Sequence, residues 1–211
     1  MPDRYIPGVP CWVDTSQPDP AGAAAFYGEL FGWELEDVMP PESPFSYHLA
    51  RIRGENVAAV GSLPEGAPPE ARWDTYVWVT DADATAAQVR EAGGSVVTEP
   101  FDVLDAGRTA VFADPAGALL CAWQPREHRG ATIVNEHGSV NFNNLHTRDV
   151  EAAHWSVTFA VDDADAIAAR APELGGRVVT GPFDAPWVRM AVIADPQGAT
   201  FTASQFVPPS P

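Results

Sequence analysis

Two carboxylates, a thiol and four large aromatic residues recur at spacings that would line one site. Trp12, Asp14 and Ser16 alternate along one apolar run. Asp74, Tyr76 and Trp78 alternate along a second, and Cys121 and Trp123 along a third. In extended chain, alternate residues share a face. Three such faces brought together make aromatic walls with a few carboxylates and hydroxyls, the composition of a small-molecule site. A planar metabolite would stack in such a cup. Asp14 or Asp74, buried beside tryptophan, would hold its proton to higher pH and act as an acid or base. The competing reading is that Trp12, Tyr76 and Trp78 fill a core and the carboxylates stay solvated or hydrogen-bonded.

Other reactive residues point to less. Cys121 would be a nucleophile only beside a cation or histidine, and none is near it in sequence, so an inert thiol is expected. The five histidines show no metal-ligand spacing. His128 and His137 fall in a polar linker, where solvent exposure is expected. Arg108 and Arg189 recur at matching positions, where pairing with a local aspartate is expected over a substrate clamp. The segment EAGG ends a helix and is no dinucleotide fingerprint, since no G-x-G-x-x-G follows.

Composition narrows the classes further. The net charge of −17 repels nucleic acid and anionic membranes. All 12 basic residues are arginine, so a lysine Schiff base or a phosphate-binding P-loop lysine is excluded. No apolar run approaches the ~20 residues of a membrane span, and the start MPDRYIPGVP lacks a signal-peptide pattern. The chain therefore reads as soluble and cytoplasmic. Two cysteines, Cys11 and Cys121, are too few for a disulfide framework, and free thiols are expected.

The elements that must carry these residues are written more than once. WDTYVWVTDADATAAQVREAGGSVV from Trp73 aligns without a gap on WSVTFAVDDADAIAARAPELGGRVV from Trp155. Each continues into a PFD segment and an A-D-P-x-G-A turn. The pattern predicts a strand, a helix capped by Asp81 or Asp163 and closed by Gly93 or Gly175, then three strands. Pro172 is expected to kink or shorten the second of these helices. The first 62 residues fit the same β-α-β-β-β unit, with Asp19 as helix cap, Pro20 at the first helical position, and Ala23, Phe26, Tyr27, Leu30 and Phe31 as apolar face. A further echo, FNNLHTRDVEAA from Phe142, repeats WVDTSQPDPAGAA from Trp12. There the repeat breaks. Asp19 lies 54 residues before Trp73 but Asp149 only 6 before Trp155, so about 48 residues, a helix and three strands, are missing. The expected organisation is a complete two-module domain over 1–125 (modules about 1–62 and 73–125), a linker over 126–139, and a truncated domain over 140–211 made of a stub strand and one module.

These paired modules, the DPAGAAAFYGELFGW helix and the GG…FADPAG hairpin resemble the vicinal oxygen chelate superfamily, which holds glyoxalase I, extradiol dioxygenases and bleomycin-resistance proteins. More closely, the chain resembles tandem-domain actinobacterial members labelled hydroxylase or glyoxalase/bleomycin-resistance-like. The resemblance implies an α+β fold of repeated βαβββ modules. In metal-using members it implies ligands, His and Glu, on the first and last strand of each module. Counting from the caps and turns, those positions hold Trp12, Asp74 and Cys121, with only Val57–Val60 on the first module's last strand. In the second half they hold Phe142, Ser156 and Thr202. This is a poor donor set, so no metal and no cofactor are expected.

The truncated half predicts an exposed apolar inner face and a bare strand edge. It would be completed by a second copy of the chain, by the chain's own first domain, or by a stretch missing from the sequence, with a homodimer or a missing stretch preferred. The expected function is metal-independent binding of a small hydrophobic or aromatic metabolite, as a sequestering, resistance-type protein or an auxiliary tailoring enzyme of secondary metabolism. The residues named for it are Asp14 and Asp74 for catalysis, and Trp12, Tyr76, Trp78, Cys121 and Trp123 for the ligand. The alternatives are a metal-dependent glyoxalase- or dioxygenase-type lyase or oxygenase, and a non-catalytic assembly protein.

Overall fold

The structure is a computed structural model that describes residues 5–67, 69–146 and 154–208. Three β-α-β-β-β repeats follow one another, with a lone strand before the third. The first repeat comprises β1 (Pro10–Gln17), α1 (Pro20–Phe31), β2 (Glu34–Asp37), β3 (Tyr47–Ile52) and β4 (Glu55–Ser62). The second comprises β5 (Arg72–Trp78), α2 (Ala82–Glu91), β6 (Ser95–Val103), β7 (Gly107–Ala113) and β8 (Leu119–Pro125). The lone strand is β9 (Val140–His146). The third repeat comprises β10 (His154–Ala160), α3 (Ala164–Glu173), β11 (Arg177–Ala185), β12 (Val188–Ala194) and β13 (Thr200–Phe206). The α+β fold class of repeated modules is thus as expected. Asp149, the cap position of the broken repeat, lies outside the described residues.

Local chemistry starts and stops the helices. The carboxylates of Asp19, Asp81 and Asp163 accept from the amides of Gly22, Ala84 and Ala166 at 2.9–3.0 Å, which satisfies N–H groups that the first turn leaves open. Gly93 and Gly175 follow α2 and α3 at φ of 85° and 90°, a conformation that favours glycine. Pro172 does not shorten α3, which keeps the ten residues of α2. So near the helix end, proline removes one hydrogen bond and little else.

The described strands form sheets of eight and five. Each repeat orders its strands alike: β2-β3-β4-β1, β6-β7-β8-β5 and β11-β12-β13-β10, with β9 beside β10. In each, the first and last strands run parallel.

Contacts divide the chain into two compact units. One comprises Met1–Trp12, Asp74–Ala131 and Asn143–Ser156. The other comprises Val13–Trp73, Thr132–Phe142 and Val157–Pro211. The grouping differs from the division in chain order at 125 and 140. The second unit joins the first and third repeats through one core. Phe26, Tyr27, Leu30 and Phe31 of α1 pack with Val157, Phe159, Ile167 and Phe201. Tyr27 and Phe31 lie 5.8 and 5.5 Å from the Phe201 ring. Asp195, 2% exposed, locks this core. Its carboxylate accepts from Gln17 Nε2 at 2.7 Å, from the Tyr27 hydroxyl at 2.9 Å, and from the amides of Gln197 and Ala199. Burial, and then the Asp195 charge, push the Tyr27 hydroxyl well above its ordinary pKa and keep it a donor.

The apolar face of the third repeat is therefore the one toward α3, and the chain covers it with its own first repeat. The opposite face differs from the expected apolar one. It carries Thr158, Ala160, Thr202 and Ser204, paired across β10 and β13.

Candidate functional site

The candidate residues of the second repeat share one face because β5 and β8 are parallel and in register. Tyr76 lies beside Cys121, and Trp78 beside Trp123. The other face is occupied: Ala110, Phe112 and Ala122 pack under Ala86 of α2. Tyr76, Trp78, Cys121 and Trp123 thus point away from the helix. Trp12, from the same compact unit, joins them through His128. The Trp12 and His128 rings meet edge to face at 4.4 Å, His128 and Trp123 at 5.6 Å, and Tyr76 and Trp123 at 6.3 Å. Tyr5 stacks on Trp78 at 6.0 Å.

The grouping of Trp12, Tyr76, Trp78, Cys121 and Trp123 follows the strand alternation. Their exposure does not suit open walls. Trp12, Trp78 and Trp123 are only 4–6% exposed, because Tyr5 and His128 close over them. Gly107 makes room on β7: a Cβ there would meet the Trp123 ring at 2.6 Å.

His128 is the residue that linear reading missed. It was expected in solvent, yet its ring is largely buried between Trp12 and Trp123. The chain turns back after β8, with the His128 amide donating to Ala106 O at 3.0 Å. Trp123 Nε1 donates to His128 O at 2.9 Å. The ring Nε2 is buried and has no hydrogen-bond partner. Burial lowers the imidazole pKa to about 4, so the ring is neutral at physiological pH. Nothing in the spacing of the five histidines marks it, since its partners arrive from other strands.

The two named carboxylates divide between the units. Asp74, 7% exposed, begins the inner face of β5. Asp14, 6% exposed, belongs to the first repeat's unit, where its Oδ2 accepts from the Tyr47 hydroxyl at 2.9 Å. Both cysteines are buried and neither forms a disulfide. Burial pushes the Cys11 thiol up to about 12, which removes it as a nucleophile. Arg108 pairs with Asp83 and Asp102, and Arg189 with Asp165 and Asp184, as their recurrence suggested.

The donor set does not fit a metal ion. Indole at Trp12 offers no lone pair outside its π system, and Asp74 and Cys121 bring two donors where a site needs three or four. Among the described residues no three His, Cys, Asp or Glu side chains gather as a ligand group.

Comparison with known proteins supplies the lineage. Residues 12–122 match the model of the Glyoxalase/Bleomycin resistance protein/Dioxygenase superfamily, and residues 122–204 a Glyoxalase-like domain. "Putative glyoxylase CFP32" of Mycobacterium tuberculosis is 37% identical over 259 aligned positions, covering 99% of each chain. "Anthracycline biosynthesis protein DnrV" of Streptomyces peucetius is 35% identical, covering 94% of each. With 259 aligned positions against 211 residues here, about 48 positions of the first relative face a gap. This is the length that the broken repeat lacks. Two solved structures share the fold. The Mn(II)-bound glyoxalase from Novosphingobium aromaticivorans has a TM-score of 0.62 at 16% identity, over 94% of this chain and 82% of its own. The 2,3-dioxygenase LapB from Pseudomonas sp. KL28 has a TM-score of 0.61 at 13% identity, over 98% and 95%. Repeat architecture, family models and full-length relatives agree that this chain belongs to the glyoxalase/bleomycin resistance/dioxygenase superfamily, the vicinal oxygen chelate fold.

Proposed function

We propose that the protein binds a small aromatic metabolite without a metal, as an auxiliary or sequestering protein of secondary metabolism. The observation that carries the reading is the unpaired Nε2 of His128 among Trp12, Trp123 and Tyr76. A buried polar atom without a partner is uncommon in folded proteins. Here it sits in an aromatic cluster whose faces suit a flat ring. A phenol or quinone that displaced part of the closing segment would find stacking partners and one hydrogen-bonding nitrogen. In neutral imidazole Nε2 is a donor in one tautomer and an acceptor in the other, so it would hydrogen-bond a quinone oxygen or accept from a phenol O–H. The relation to a protein named for anthracycline biosynthesis supports a polycyclic aromatic ligand. Asp74 and Cys121 belong to the same inner face and complete its polar edge. Asp14, tied to Tyr47, lies in the other compact unit and is left out of this site.

Titration of chelator-treated protein with 1,8-dihydroxyanthraquinone, followed by tryptophan fluorescence, tests this. Saturable quenching is expected, with affinity lowered at least tenfold in His128→Phe, which keeps the ring packing and removes the nitrogen. Stoichiometric manganese, iron, zinc or nickel in the purified protein, with binding that needs it, would replace this reading by the metal-dependent one. Unchanged binding by His128→Phe would remove His128 from the site.

A further inference from the structure

The third repeat contains a pocket where the second repeat is filled. In the second repeat the end of the inner face is packed by three aromatic rings, Tyr5, Trp78 and Trp123. Alignment of the repeats places Ala160 under Trp78 and Ser204 under Trp123. Backbone pairing gives the third match. Gly8 N donates to Trp78 O and Gly138 N to Ala160 O, at 2.9 and 2.8 Å, so Tyr5 corresponds to Asn135. Three rings have become a methyl, a hydroxymethyl and an amide. The result is a cavity of about 450 Å³ lined by Asn135, His137, Asn141, Ala160, Ser204 and Phe206.

Its polar surface is not self-satisfied. Ser204, one of the lining residues, is 1% exposed, and its buried hydroxyl has no hydrogen-bond partner. Thr158, two residues before Ala160 on the same face of β10, also has a buried, unpaired hydroxyl. Phe206, at the rim, is 70% exposed. The remaining lining includes Glu136, whose carboxylate pairs with Arg53, and Asp162, with no lysine or arginine in the lining itself.

We infer that this pocket is a second small-molecule site, for a small aromatic compound that carries a hydrogen-bonding group and no negative charge. Phe206 supplies a face for the ring. Ser204 lines the pocket with its unpaired hydroxyl turned inward, and rotation about χ1 would present that hydroxyl to a ligand. Asp162 and the overall charge of −17 disfavour anions and favour a cation. The site is independent of the His128 cluster, because none of its lining residues belongs to that compact unit.

The test uses the full chain, labelled with ¹⁵N and titrated with 2-phenylethylamine, benzyl alcohol and benzoate. Saturable amide shifts confined to residues 135–141, 160–162 and 204–206 are expected with the amine, weaker ones with the alcohol, and none with benzoate. Ser204→Trp, which restores the ring of the second repeat, is expected to weaken amine binding at least tenfold, and Ser204→Ala about threefold. If Ser204→Trp does not fold, Ala160→Leu fills the same space with less bulk and carries the same expectation. The inference is overturned by shifts that do not saturate, by shifts that map elsewhere, or by benzoate binding as well as the amine. It also fails if the filling variants bind as wild type does. A sedimentation profile showing a dimer that Ser204→Trp dissociates, with no probe bound, would make the pocket a contact between copies and would equally overturn it.

Discussion

Protonation of His128 offers a direct physical measure of how deeply the second repeat's aromatic cluster is buried. The folded imidazole titrates at about 4 because burial disfavours the charged form, against a reference of 6.5 in open chain. Above pH 6.5 both states are neutral and stability is intact. As pH falls from 6.5 toward 4, the unfolded chain binds a proton that the folded protein refuses, so stability is lost across that window. One group with this shift gives a loss of about 2 kcal/mol between pH 7 and pH 5, and about 3 kcal/mol by pH 4. The carboxylates held below their usual range, Asp37, Asp83 and Asp165, titrate under this window. Urea denaturation of wild type and His128→Phe at pH 7 and pH 5 isolates the effect. Any change in baseline stability cancels, because only the pH dependence is compared. Wild type should lose about 2 kcal/mol more than the variant over that interval. Equal losses, within about 0.5 kcal/mol, would show that the imidazole is solvated when folded and that the cluster is open.

The remaining predictions concern packing and reactivity. Asp195→Ala strands the Tyr27 hydroxyl, the Gln17 amide and two backbone N–H groups, and should cost about 3 kcal/mol or more by denaturant titration. The matching Asp114→Ala in the second repeat, whose Oδ1 serves only the amides of Ala116 and Ala118 among its described partners, should cost about 1 kcal/mol. Comparable losses would deny the third repeat its lock on the first. Gly107→Ala drives a Cβ into Trp123 and should destabilise by about 1–3 kcal/mol, with altered tryptophan emission. Cys11, with its thiol raised to about 12 and a long contact to Tyr76 O at 3.5 Å, should resist iodoacetamide at pH 8 in the native state; rapid labelling there would contradict its burial.

Much of the architecture was legible because it rests on local rules that repeat. Aspartate caps, glycines at positive φ and the Asp-Pro-x-Gly turns mark element ends through backbone geometry within a few residues. Alternation then assigned Tyr76, Trp78, Cys121 and Trp123 to one face, and register in a parallel pair kept them there. Arg108 and Arg189 were legible for the same reason: their aspartate partners recur with them. Harder to foresee was what covers each face. His128 and Tyr5 reach the aromatic cluster from segments without regular structure, and no periodicity records where such a segment returns. Shortening by Pro172 was not foreseen correctly, because the cost of a proline depends on how near the helix end it falls.

By itself, the sequence determined the repeat, the module and the break in the repeat, since each is a property of residue type and spacing. Tertiary structure decided that the third repeat shares its apolar face with the first, that the aromatic residues are closed over by an imidazole, and that three small side chains leave a hollow. Those outcomes depend on which surfaces meet. Packing is a long-range matter of shape and burial that adjacent residues do not encode.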